Sequence, residues 1–91
     1  MDKTKYNVTI KKNILKKLNK LPENIQDKLF ILAEDLKDKG PLAKDWPNFS
    51  PLGEEKYHCH LGYSWVACWK YYKDIITIEV YYAGSRENAP Y

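Results

Sequence analysis

Ninety-one residues suffice for one domain and not for two, since each half would fall below the size at which apolar burial offsets chain entropy. Apolar types at 44% with eight Tyr and three Trp exclude a disordered tail, and charged types at 30% exclude a membrane span, so a soluble globular domain is expected. The net charge of +3 hides an asymmetry: residues 1–20 carry seven Lys against one Asp, or +6, and residues 21–91 carry eight basic against eleven acidic groups, or −3.

Residues 5–10 alternate, with Tyr6, Val8 and Ile10 on one side and Asn7 and Thr9 on the other, the period of a half-buried strand. From Lys11 the period becomes helical. Ile14, Leu15 and Leu18 form an apolar stripe, and Lys12, Lys16, Lys17 and Lys20 take the opposite face of a basic amphipathic helix of about 10 residues. A second helix follows: Pro22 suits its first turn, Glu23 its positive end, and Ile25, Leu29, Leu32 and Leu36 make one stripe before Gly40-Pro41 stops it. Residues 41–56, with three Pro and the aromatics Trp46 and Phe49, read as an irregular connection pinned by rings. Residues 57–61, 66–72 and 75–83 then read as a three-stranded antiparallel meander, turning at residues 62–65 and near Lys73-Asp74. The expected class is α+β in the order β-α-α-β-β-β, one domain over residues 1–91, with a helical hairpin packed on an antiparallel sheet.

A symmetric turn at 62–65 would set Cys59 opposite Cys68, His58 opposite Trp69 and His60 opposite Ala67. In that register Cys59, Leu61, Val66 and Cys68 face the helices, as do Ile76, Ile78, Val80 and Tyr82 of the last strand. His58, His60, Trp69, Glu79 and Tyr81 face outward, within reach of Arg86 and Tyr91. Imidazoles that move protons near neutral pH, a guanidinium that grips phosphate and rings that stack bases suit RNA chemistry. The two histidines lack a third ligand, so neither metal nor other cofactor is expected. Cys59 and Cys68, too few for a disulfide framework, read as buried thiols in a reducing compartment. No apolar run approaches the about 20 residues of a spanning helix, and the opening Met-Asp-Lys-Thr-Lys leads into no apolar leader core. A cytoplasmic protein without a membrane partner is expected.

Gly40-Pro41, Trp46-Pro47-Asn48, the stretch YHCHL at 57–61, VACW at 66–69 and EVYYAGSRENAPY at 79–91 together resemble the RelE/ParE superfamily of type II toxin–antitoxin systems. The match is nearest to the RelE-like cytotoxic translational repressors and spans nearly the whole chain. The resemblance implies a toxin that cleaves messenger RNA on the ribosome without a metal, driving the 2′-hydroxyl against the adjacent phosphate. His58 and His60 stand where RelE-like proteins carry two lysines, Arg86 where a catalytic arginine follows the last strand's glycine, and Tyr91 where a C-terminal tyrosine orients RNA. Trp65 occupies the place of a second arginine. On this reading His58, His60 and Arg86 are catalytic, with the two imidazoles sharing the base and acid roles. Trp65, Trp69, Glu79, Tyr81 and Tyr91 contact the substrate, Trp69 or Tyr91 by stacking and Glu79 or Tyr81 by orienting an imidazole. The partners implied are mRNA, the ribosome and a cognate antitoxin whose acidic residues meet Lys12, Lys16, Lys17 and Lys20. Two other functions are compatible with the fold: a ParE-like poison of DNA gyrase without chemistry of its own, and an inactive toxin-fold binding protein.

Overall fold

A computed structural model describes residues 5–91, so the opening four residues, on which the leader reading and part of the basic stretch rest, lie outside the described residues. Strand β1 (Asn7–Ile10) leads into a short helix α1 (Lys12–Lys16), a 3-10 turn at Leu18–Lys20 and the long helix α2 (Glu23–Lys39). Four strands follow: β2 (Ser50–Gly53), β3 (Lys56–Gly62), β4 (Trp65–Tyr72) and β5 (Thr77–Ser85). They form a single sheet in the order β1-β5-β4-β3-β2. β1 pairs in parallel with β5; the helices carry the chain from β1 to β2 at the opposite edge, the meander β2-β3-β4-β5 brings it back beside β1, and every other pairing is antiparallel.

α2 behaves as its pattern dictates. Ile25, Leu29, Leu32 and Leu36 are buried on one stripe, joined by Ala33. Gly40 closes the helix at φ +92°, and a Cβ there would sit 2.8 Å from the Tyr6 ring, so this end requires glycine on two counts. The first helix differs from expectation. It holds only five residues before the backbone tightens, and Leu15, expected in the stripe beside Ile14, is exposed. One turn of helix cannot bury two consecutive side chains, which point about 100° apart.

β2 is an edge strand where the sequence predicts only an irregular connection. Pro51 is tolerated there because an edge strand need not donate every ladder bond. The loop to β3 is Glu54-Glu55, both at positive φ, in place of the Asn-Gly that usually announces so tight a hairpin. Residues 41–49 do run as an irregular connection pinned by rings. Trp46 donates to the Asp35 carboxylate at 2.8 Å, Trp69 donates to the Pro41 carbonyl at 2.9 Å, and Phe49 stacks 6.1 Å from Trp69.

The register of β3 with β4 is one residue from the symmetric expectation. Gly62 pairs with Trp65, but Leu61 is an extra residue, so His60 faces Val66, Cys59 faces Ala67 and His58 faces Cys68. The faces of β4 therefore invert. Ala67 and Trp69 join Cys59 and Leu61 in the core beneath α2, with Trp65 and Tyr71 packed against it, while Val66 and Cys68 turn to the opposite face. A second bulge, at Tyr81, sets Tyr82 opposite Cys68. Tyr82 thus lies on the open face rather than inward, and Ile76, also expected inward, is an exposed left-handed residue ahead of β5.

Candidate functional site

The helices cover one face of the sheet, and the candidate site lies on the other. β3 presents His58 and His60, two residues apart and hence on the same side, with ring centroids 6.1 Å apart. The edge strand β2 supplies a partner. Ser50 lies opposite His58, and its hydroxyl forms a 3.0 Å hydrogen bond with Nδ1, the donor being set by the tautomer. The Ser50 carbonyl, 3.4 Å from the same nitrogen, can only accept, which favours the proton on Nδ1 and leaves Nε2 as the free nitrogen. His58 is only 8% exposed, so its ring is held by packing as well as by Ser50. The backbone N–H of His60 donates to the Pro47 carbonyl at 2.8 Å, tying this part of β3 to the connection before β2.

The C-terminal segment returns to this face. After β5 the chain makes a 3-10 turn at Arg86–Asn88, held where the Arg86 N–H donates to the Ser64 carbonyl at 2.8 Å in the β3–β4 turn. Tyr91 then lies against His58 with ring centroids 4.4 Å apart, and at 54% exposure it retains a free surface. The Arg86 guanidinium is exposed and sits 5.8 Å from the Tyr63 ring. It is close enough to act on His60, whose proton affinity falls below the ordinary 6.5 through burial first, then through His58 and Arg86. All three disfavour the charged imidazolium of His60. On the neighbouring strand beside the histidines, Val66 and Cys68 are fully buried although they face away from the helices. Burial pushes both the Cys59 and Cys68 thiols up to about 12, so neither supplies a thiolate.

The structure thus brings His58, His60 and Tyr91 together, with Arg86 within electrostatic reach. It does not bring Trp69, which is 0% exposed in the core under α2; its expected base-stacking role is ruled out by the Leu61 bulge that turned β4 over. Trp65 also faces the helix side, half-buried against the core, away from the imidazoles. Glu79 and Tyr81 are on the open face as expected, but farther along the sheet, and the contact that orients His58 comes from Ser50 instead. The sequence does not mark Ser50 as a site residue because it lies in a Pro-interrupted edge strand, and a Ser-Pro pair is its only signal. Lys12, Lys16, Lys17 and Lys20 are all exposed on the first helix and the turn after it. Among the described residues no three His, Cys, Asp or Glu side chains gather to hold a metal ion.

This fold, two helices on one face of a five-stranded sheet with β1 parallel to β5, is similar to those of solved RelE-type toxin structures. The chain is similar over 92% of its length to a chain of the archaeal RelE–RelB complex from Pyrococcus horikoshii OT3, covering 98% of that chain with a TM-score of 0.72 at 17% identity. A double mutant of the E. coli toxin RelE in the free state superposes over 92% of this chain and 86% of its own, with a TM-score of 0.71 at 14% identity. The toxin–antitoxin complex RelBE2 from Mycobacterium tuberculosis matches 89% of this chain and 98% of its own, with a TM-score of 0.66 at 19% identity. No family model matches the chain, and no curated protein matches it. No helix among the described residues is long and apolar enough to cross a membrane.

Proposed function

We propose that this chain is the toxin of a type II toxin–antitoxin pair and acts as an endoribonuclease that cuts messenger RNA on the ribosome. The observation that carries this reading is the pair of imidazoles on the open face of a RelE-type fold, one anchored by Ser50 and Tyr91 and the other two residues along the same strand within electrostatic reach of Arg86. Neutral His60 takes the proton of the 2′-hydroxyl as that oxygen attacks the adjacent phosphorus. The bond from phosphorus to the 5′-oxygen breaks, His58 in its imidazolium form gives its Nε2 proton to the departing oxygen while the Nδ1 proton stays with Ser50, and a 2′,3′-cyclic phosphate remains. Arg86 balances the charge that builds on the phosphorane. Tyr91, packed on His58 with half its surface free, offers a stacking face for a base next to the cut. Imidazoles replace the paired lysines implied by the family resemblance, and a group that titrates near neutrality can serve as base or acid without needing a strongly depressed amine.

The cognate partner is a small antitoxin with acidic residues, in keeping with the toxin–antitoxin complexes among the similar structures. The exposed lysines at 12, 16, 17 and 20 speed its encounter, and apolar contacts set its affinity. Mapping RNA 5′ ends after brief induction, with translation running or blocked, tests the activity. New ends within translated messages, lost when translation is blocked, are expected. DNA breaks with intact RNA would mark a gyrase poison, and unimpaired growth an inactive binding protein.

A further inference from the structure

The open face extends beyond the histidines in rows that cross three strands. His60, Val66 and Gly84 form one row, His58, Cys68 and Tyr82 the next, and Lys56, Lys70 and Glu79 the third. Rows two residues apart lie about 6.8 Å from each other at the strand rise of ~3.4 Å, comparable with the phosphate-to-phosphate distance in an extended single strand. The third row has an unusual composition. Lys56 and Lys70 are directly opposed, a like-charge cross-strand pair that costs stability, and neither forms a salt bridge among the described residues. With Lys11, Tyr72, Glu79 and Tyr81 they line a groove of about 250 Å³. Three ammonium groups face one carboxylate there, and that carboxylate already accepts from the Tyr72 hydroxyl at 3.5 Å. Lys70 Nζ lies 5.2 Å from the centroid of the Tyr72 ring, so cation and ring are presented together.

An arrangement that costs the fold stability and gathers cations beside rings fits a ligand that carries both phosphate and base. We infer that this groove is a second RNA subsite, holding the phosphate of a nucleotide next to the one cut at the histidines on Lys56, Lys70 and Lys11, and its base on Tyr72 or Tyr81. The inference deepens the endoribonuclease reading and rests on it for the strand that runs through both rows. An acidic polypeptide would satisfy the lysines but would leave unused both the rings and the alignment with the histidine rows.

The test is binding of a 12-nucleotide 2′-O-methyl RNA, which has no free 2′-hydroxyl to be cleaved, followed by fluorescence anisotropy across a salt series. Lys56→Gln/Lys70→Gln is expected to weaken binding about tenfold and to flatten the slope of log K against log salt by about 0.7 for each phosphate no longer neutralised. Tyr72→Leu is expected to weaken binding about fivefold with the slope unchanged. Removing the like-charge pair leaves the Tm at or above that of the parent, which shows that the variant is folded. A lysine variant that binds with the parent's affinity and slope overturns the subsite, as does a parent chain that does not bind the strand. Loss of binding to polyglutamate in place of RNA assigns the groove to an acidic protein and also overturns it. The two readings fail separately: a parent that binds RNA through these lysines but leaves translated messages uncut refutes the nuclease alone, whereas cutting with unmoved lysine variants refutes the subsite alone.

Discussion

Ser50 Oγ lies 3.0 Å from Nδ1 of His58, joining the edge strand β2 to the imidazole that the candidate chemistry requires in one orientation. Ser50→Ala is expected to slow cleavage by up to about 10²-fold, because a ring free to turn spends little time aimed at the leaving oxygen. The loss of one hydrogen bond should lower stability by only about 1 kcal/mol. Single-turnover rates set beside urea denaturation separate the two effects. Unchanged cleavage would show that packing against Tyr91 alone holds the ring.

Replacing either imidazole addresses proton transfer itself. His58→Gln and His60→Gln should each lower the rate by about 10²–10⁴ and flatten one limb of the pH–rate profile. Both variants should fold, since the two side chains lie outside the core beneath the helices. If both fold and cut at the parent rate, the histidines are ordinary strand residues.

Arg86→Ala removes a fixed positive charge, and a loss of roughly 2.7–4 kcal/mol of transition-state stabilisation is expected by analogy with one oxyanion donor. The pH profile should also move. Arg86 helps hold down the proton affinity of His60, so without it the limb governed by His60 shifts to higher pH. A profile that drops in height without shifting would separate Arg86 from His60 electrostatically.

The same lowered affinity makes a statement about stability. The unfolded chain, whose imidazoles titrate near 6.5, takes up a proton more readily than folded His60 does. The contribution is therefore fully present above the unfolded value and is lost as the pH falls through the window below 6.5. Thermal melts of the parent between pH 7.5 and 5.5 should show a decline that is shallower in His60→Gln.

Trp69 calls for a different outcome. Trp69→Ala should cost about 3–5 kcal/mol of unfolding free energy, from the cavity left under α2 and from the Pro41 carbonyl left without its donor. Chemical denaturation measures this. RNA binding by whatever fraction remains folded should be unchanged, opposite to the behaviour of a base-stacking residue.

The local patterns of the chain determined much of this protein. The stripe Ile25, Leu29, Leu32 and Leu36 wrote α2, Gly40-Pro41 ended it, and alternation in β3 placed His58 and His60 on the side away from Cys59 and Leu61. These are properties of one element at a time, set by a period of 3.6 or 2 and by residues that cannot continue a helix. Relations between elements were decided only in three dimensions. One extra residue at Leu61 reversed every side chain of β4, taking Trp69 from the open face into the core and bringing Cys68 to the open face beside His58. The Glu54-Glu55 turn, in which two ordinary residues at positive φ follow Gly53 also at positive φ, concealed β2 and with it Ser50. Bulges and tight turns of ordinary residues are held by the packing of what surrounds them, so their energies are not written in the local sequence, and a shift of one position is enough to exchange a core residue for a site residue.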